Sequence, residues 1–251
     1  MFVSKSEQLM FQPIAALIES LAPKFNEKKE KNLPCAKQLN HFINATNLNN
    51  KPLQFIRQDE SLAFKNLGYE QRIYLHGLIA TRNNNWHDFF NALVWLSFPK
   101  IKTTLNAIHY EEQSQQKNSL RSARRDLLTL FDECGVIIQA DESIHQLIKE
   151  HRWLELFITH KTSWENGDIK MTTFGHAMYE KYMFPYIGMT AKALLIPRED
   201  IKCDNLISAK IALDELLVNK GELFPLPVLG IPGWYKTQDE NFYANQKYFR
   251  P

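Results

Sequence analysis

Apolar positions recur at helical spacing along several stretches of the chain, and most stretches carry their own start or stop signal. Residues 86–98 hold Phe89, Phe90, Leu93, Val94, Trp95 and Leu96, with Asn84 or Asn85 placed to cap, which predicts a helix. Pro99 opens a second helix to about residue 112, because a first-turn proline forfeits no hydrogen bond. A third is predicted over 119–134, with Leu120, Ala123, Leu127, Leu128, Leu130 and Phe131 as its buried stripe and Gly135 as the residue that ends it. Short helices follow over 143–149 and 153–160. Another runs from a Thr173 cap to about 183, where Pro185 stops it, and a last one over 205–218 is capped by Asp204. The short β-branched run 136–138 predicts a strand, and a shortened apolar pattern near 53–57 and a short apolar run at 193–196 predict two more. The stretch 69–81 mixes both periods and takes no assignment. The first fifty residues read as two helices, one over 13–21, joined by the charged segment 27–31. Residues 224–251, rich in proline and aromatics, read as an extended tail packed on the body. The expected fold class is mainly α, an α-rich α+β single domain over 1–251, with about nine helices, a few short strands and residues 1–60 as a helical extension.

Composition narrows this picture by exclusion. Nine glycines in 251 residues are too few for a turn-dense β-sandwich. A net charge of +2 argues against a strongly basic nucleic-acid scaffold. The three cysteines, Cys35, Cys134 and Cys203, lie far apart and form no Cys-x-x-Cys pair, so a disulfide framework or thiolate zinc site is not expected. The densest apolar run, 92–96, is far short of a membrane span. With no leader pattern at the N-terminus either, the expectation is a soluble, cytoplasmic protein without membrane partners.

What the helices carry besides apolar residues points to chemistry. His87, Asp88 and Asn91 share one stretch of helix surface, Lys102, Asn106 and His109 another, and Asp126, Thr129 and Glu133 a third, with Arg125 and Asp132 alongside. His176 and Glu180 stand one turn apart. Solvent faces favour long Lys, Glu, Gln and Arg, whereas most of these residues are short polar groups that lose little rotamer freedom when ordered. Two chemistries fit. Imidazole and carboxylate from His87, His109, Asp132, Glu133, His176 and Glu180 suit a divalent zinc, iron or manganese ion. Without metal, His87, Asp88, His109, His176 and Glu180 suit acid–base catalysis. Arg82, Trp86, Asn91, Lys102, Asn106 and Arg125 would then hold a polar or anionic ligand. The alternative is a non-catalytic module for RNA or a protein partner, in which the same residues form a buried structural network. Interleaved acids, Glu111, Glu112, Asp126 and Asp132 among them, argue against the nucleic-acid form of it. No nucleophile elbow, P-loop or dinucleotide-binding glycine pattern occurs.

Several of these blocks together resemble a known family. They are Tyr69-Glu70-Gln71-Arg72-Ile73, Thr81-Arg82, the run from Asn85-Trp86-His87-Asp88 to Leu96, Phe98-Pro99-Lys100 with Leu105-Asn106 and His109, Arg125-Asp126, Leu128-Thr129-Leu130-Phe131-Asp132-Glu133 with Gly135, and Phe174-Gly175-His176-Ala177 with Tyr179-Glu180. With 225–234, they resemble the bacterial family catalogued as domain of unknown function 3025, over about residues 69–251. Ala80 stands where that pattern often has proline. The resemblance supplies no activity. It implies that the polar stripes are family motif blocks and favours a shared cleft over scattered solvent faces, without separating a catalytic cleft from a structural network.

Overall fold

Helices carry most of the fold, and the strands between them are short. The structure, a computed structural model, describes residues 10–12, 14–19, 33–60, 64–115, 121–198 and 202–250. The charged segment expected at 27–31, and residues 13 and 20–21 of the helix expected at 13–21, lie outside the described residues; residues 15–19 are helical. In chain order there follow α1 (Ala36–Leu39), β1 (Gln54–Arg57), α2 (Tyr69–His76), β2 (Leu78–Thr81), α3 (Trp86–Ser97), α4 (Pro99–Gln115), α5 (Ala123–Cys134), β3 (Gly135–Gln139) and α6 (Glu142–Lys149). Then come α7 (Lys161–Glu165), β4 (Lys170–Thr173), α8 (His176–Tyr182), β5 (Thr190–Ile196), α9 (Cys203–Ala212), β6 (Leu223–Pro227) and α10 (Glu240–Tyr243). This is an α-rich α+β fold. Among the described residues no helix is long and apolar enough to cross a membrane.

The chain divides into two compact units. A helical unit comprises Ile14–Thr129 and Ile201–Lys220, and a sheet unit comprises Met1–Pro13, Leu130–Asp200 and Gly221–Pro251.

In the helical unit, β1 and β2 pair in parallel, Gln54 opposite Leu78 and Arg57 opposite Thr81, with α2 between them in sequence. The mixed period of 69–81 is thus a helix and a strand joined by one residue. That residue is Gly77, left-handed at φ +75°, where a Cβ would lie 2.0 Å from the Pro52 carbonyl oxygen. Two asparagines bond to backbone groups of other segments. Asn40 donates to the Phe55 carbonyl (2.8 Å) and accepts from the Phe55 N–H (2.7 Å), as a neighbouring strand would. Asn47, buried, donates to the last-turn carbonyls of Ile73 (2.6 Å) and Tyr74 (2.9 Å) and accepts from the N–H groups of Asn49 and Lys51.

Asn85 caps α3 by accepting from the Asp88 N–H at 2.9 Å. Asp204 corrects an expectation. The helix expected over 205–218 is α9, capped at Lys202, and the Asp204 carboxylate instead accepts from the N–H groups of Lys100 (3.2 Å) and Ile101 (2.8 Å), capping α4. Burial pushes the Asp204 carboxyl up from its ordinary value, while those two amides pull it down. The helix α9 also stops short of residue 218, with Asp214 and Leu217 both left-handed beyond it. The helix predicted over 119–134 begins at Ala123, and 119–120 lie outside the described residues.

In the sheet unit the strand order is β4-β3-β5-β6, with β3 parallel to β5 and both outer pairs antiparallel. All five residues of β3 are buried, as its β-branched run implies. Three local expectations are corrected here. Gly135 does not close α5 as a left-handed residue but opens β3 directly. Thr173 ends β4 and shares a hydroxyl hydrogen bond with Tyr182 (3.1 Å), while Gly175 takes the N-cap of α8. Residues Glu155–Thr159 form a π-helical turn instead of an ordinary helix.

The tail contributes a strand, since Leu223–Pro227 pairs with β5 from Leu194↔Leu223 to Thr190↔Pro227. It is fastened by aromatic side chains. Tyr248 accepts from the Leu229 N–H (2.9 Å) and donates to the Met189 carbonyl (2.8 Å), and Trp153 donates to the Arg250 carbonyl at 2.6 Å. Tyr243 donates to the Gly230 carbonyl at 2.9 Å, and burial pushes its hydroxyl up to about 12, so it stays a donor.

Candidate functional site

Within the sheet unit, the approach of two backbone segments delivers three of the expected residues to one place. The last turn of α5 runs into Gly135, whose carbonyl accepts from the N–H groups of Phe174 (3.1 Å) and Gly175 (2.7 Å). A Cβ on Gly175 would lie 2.5 Å from the Gly135 nitrogen and 2.6 Å from the Cys134 nitrogen and the Glu133 carbonyl carbon, so only glycine allows this contact. Phe131 and Phe174 stack on each other, centroids 4.6 Å apart. The next residue, His176, therefore enters α8 beside Asp132 and Glu133.

The His176 side chain is only 5% exposed, and a carboxylate faces each ring nitrogen. Nδ1 lies 3.9 Å from Asp132 Oδ2, and Nε2 lies 3.5 Å from Glu133 Oε2. A neutral imidazole has one N–H and one lone pair. One nitrogen can thus donate toward its carboxylate, and the other meets an oxygen favourably either with a second ring proton or with a cation between them. Two metal bonds of about 2.0–2.2 Å place their donor atoms ~3–3.5 Å apart at ordinary coordination angles, which the Nε2–Oε2 separation matches. Asp132 and Glu133 also sit in the last turn of α5, where the partial negative charge of the helix end favours a cation. Lys181 of α8 reaches Cys134 Sγ at 3.6 Å.

Glu180, expected one turn along from His176, is exposed. Asp132, Glu133, His176 and Glu180 belong to the sheet unit, and the other expected residues belong to the helical unit.

In the helical unit, Arg82 grips Asp88 as a fork, Nε to Oδ2 at 2.9 Å and a terminal nitrogen to Oδ1 at 2.7 Å, while the Arg82 N–H adds a 2.7 Å bond. Burial pushes the Asp88 carboxyl up, but the Arg82 hydrogen bonds and charge, with a contribution from His87, outweigh it and hold Asp88 below the usual carboxylate range. A depressed folded-state value means that the pair's stabilisation is complete above the unfolded carboxylate range and is lost as pH falls through the folded value. Since Arg82 is 55% exposed, the effect is expected to stay below about 1 kcal/mol. Urea midpoints measured from pH 6 down to pH 3 should therefore converge between wild type and Asp88→Asn. A gap that is constant or widens toward low pH rules the assignment out.

Asn91 donates to Tyr69 Oη at 3.0 Å and accepts from Lys102 Nζ at 3.0 Å, and that ammonium lies 5.0 Å from the centre of the Trp95 ring. Asn106 donates to the Glu70 carbonyl (2.9 Å) and carboxylate (2.7 Å). Lys102, Asn106 and His109 are all buried. Trp86 is half-buried and stacks on Phe90, His87 is half-buried, and the Arg125 backbone N–H donates to Ser122 Oγ at the start of α5. Sequence reasoning did not assign Tyr69, Glu70 or Gly175 to a site. Their signal was their place inside the same motif blocks.

No curated protein and no solved structure matches the chain. A family model described as "Protein of unknown function (DUF3025)" matches residues 53–251, which adds β1 to the span expected from sequence, and the chain belongs to that family.

Proposed function

We propose that the chain is an enzyme whose centre is built on His176, with Glu133 as co-ligand of a divalent zinc, iron or manganese ion, acting on a polar or anionic substrate by metal-assisted or acid–base chemistry. The supporting observation is the buried imidazole with a carboxylate at each nitrogen, a donor set of imidazole and carboxylate that a divalent cation on the Glu133 side would suit. Sequence nominates His87, His109 and Glu180 as further ligands, and Arg82 and Arg125 as anion-holding groups. For Asn91, Lys102 and Asn106 a structural role is the better-supported reading, because their amide and ammonium groups bond to Tyr69, Glu70 and each other.

The test is metal content after purification without tag histidines or chelator. Wild type is expected to carry close to one equivalent of metal, and His176→Ala and Glu133→Gln to lose it while remaining folded. His87→Ala, His109→Ala and Glu180→Gln, assayed in parallel, decide which sequence-nominated groups also hold the ion. Metal-free wild type that zinc, iron and manganese all fail to load, with His176→Ala losing only stability, would overturn the reading in favour of a non-catalytic binding module.

A further inference from the structure

The two carboxylates beside His176 are not equivalent, and their difference assigns each a task. Asp132 Oδ2 faces Nδ1 and Glu133 Oε2 faces Nε2, on opposite sides of one ring. Asp132 and Glu133 are adjacent on α5, so their side chains leave the helix about 100° apart and reach His176 from different directions. Glu133 is the longer side chain and the more exposed, 37% against 23%, as suits a group that meets ligand and solvent. The Asp132 contact, at 3.9 Å, is longer than a hydrogen bond and would close to one by a shift of about 1 Å, since N–H to carboxylate bonds settle near ~2.8 Å. The backbone of the Gly175 segment is pinned to Gly135, so the freedom left to His176 is chiefly rotation of its own ring.

We propose that Asp132 is a positioning residue and not a metal ligand: it takes the Nδ1–H of His176, fixes that tautomer, and turns the Nε2 lone pair toward the cation shared with Glu133. A ligating histidine commonly gives its second nitrogen to a carboxylate, which orients the ring and raises its basicity. The metal half of the proposal rests on the function proposed above. The tautomer half stands without metal.

The experiment is nitrogen NMR of the full chain labelled at histidine with ¹⁵N, with and without zinc, read alongside zinc affinity. Metal-free wild type is expected to show a protonated Nδ1 and a bare Nε2 at His176. Asp132→Ala should lose that preference and bind zinc 10–100-fold more weakly. Asp132→Asn, which keeps an acceptor oxygen, should restore the tautomer and part of the affinity. A wild-type ring protonated at Nε2 or at both nitrogens overturns the proposal, as does Asp132→Ala with an unchanged tautomer and unchanged affinity. If zinc binds to none of the proteins, the metal reading fails, while the metal-free spectrum still decides the role of Asp132. Should Asp132→Ala not fold, the wild-type spectrum alone remains decisive.

Discussion

Gly175→Ala is expected to destabilise the protein by about 3 kcal/mol or more, at the top of the usual range for overpacking. The added methyl meets backbone atoms of Glu133, Cys134 and Gly135 at 2.5–2.6 Å, and backbone has no rotamer to yield. The only relief is to part the Phe174–Gly175 segment from Gly135, which breaks two backbone hydrogen bonds and carries His176 away from Glu133. Urea denaturation should show a lower midpoint with an unchanged slope. Gly221→Ala is the control, since a Cβ there meets nothing within 4 Å and should shift the midpoint little. Equal midpoints for the two variants would mean that the close contact is not a feature of the folded protein.

Asn47→Ala should cost a comparable ~3 kcal/mol, because it strips hydrogen bonds from four backbone groups in a buried place. Two of those groups are last-turn carbonyls of α2, Ile73 and Tyr74, and the other two are N–H groups of the 47–51 turn. The loss is therefore local to the helical unit. Hydrogen exchange should accelerate at residues 47–53 and 73–81 well before the β3 and β5 amides respond. Asn47→Asp keeps the acceptors but turns a carboxylate toward two carbonyl oxygens, so it should be no better than alanine. A loss under about 1 kcal/mol for Asn47→Ala would show that water replaces the side chain without penalty.

The helices at 86–97 and 99–115 were legible because period, cap and proline all agreed locally. The strand at 135–139 was legible from its β-branched run, and the one at 54–57 from the shortening of the apolar pattern. What misled is equally specific. Asp204 has the chemistry of a cap and does cap, but the helix it serves starts about a hundred residues earlier in the chain. Gly135 and Gly175 are glycines for want of space rather than for left-handed backbone, and sequence cannot distinguish those two needs. At the site, residue types and the helices that carry them were legible. The pairing was not: spacing along one helix favoured His176 with Glu180, whereas the carboxylates at its ring nitrogens come from another helix. A one-turn rule sees partners within a helix and none across helices.

The outermost strand of the four-stranded sheet carries Pro225 and Pro227, two residues apart and therefore facing alike. Pairing of this strand with β5 persists along its length, so the missing N–H groups belong to its outer side. A fifth strand arriving there would find carbonyls without the donors between them. At the opposite border, β4 presents an exposed Lys170, whose charge would be trapped by a newcomer. Both borders thus discourage the sheet from growing by recruiting a strand from a second chain, and crowded or partly unfolded samples should resist fibrillar assembly through it.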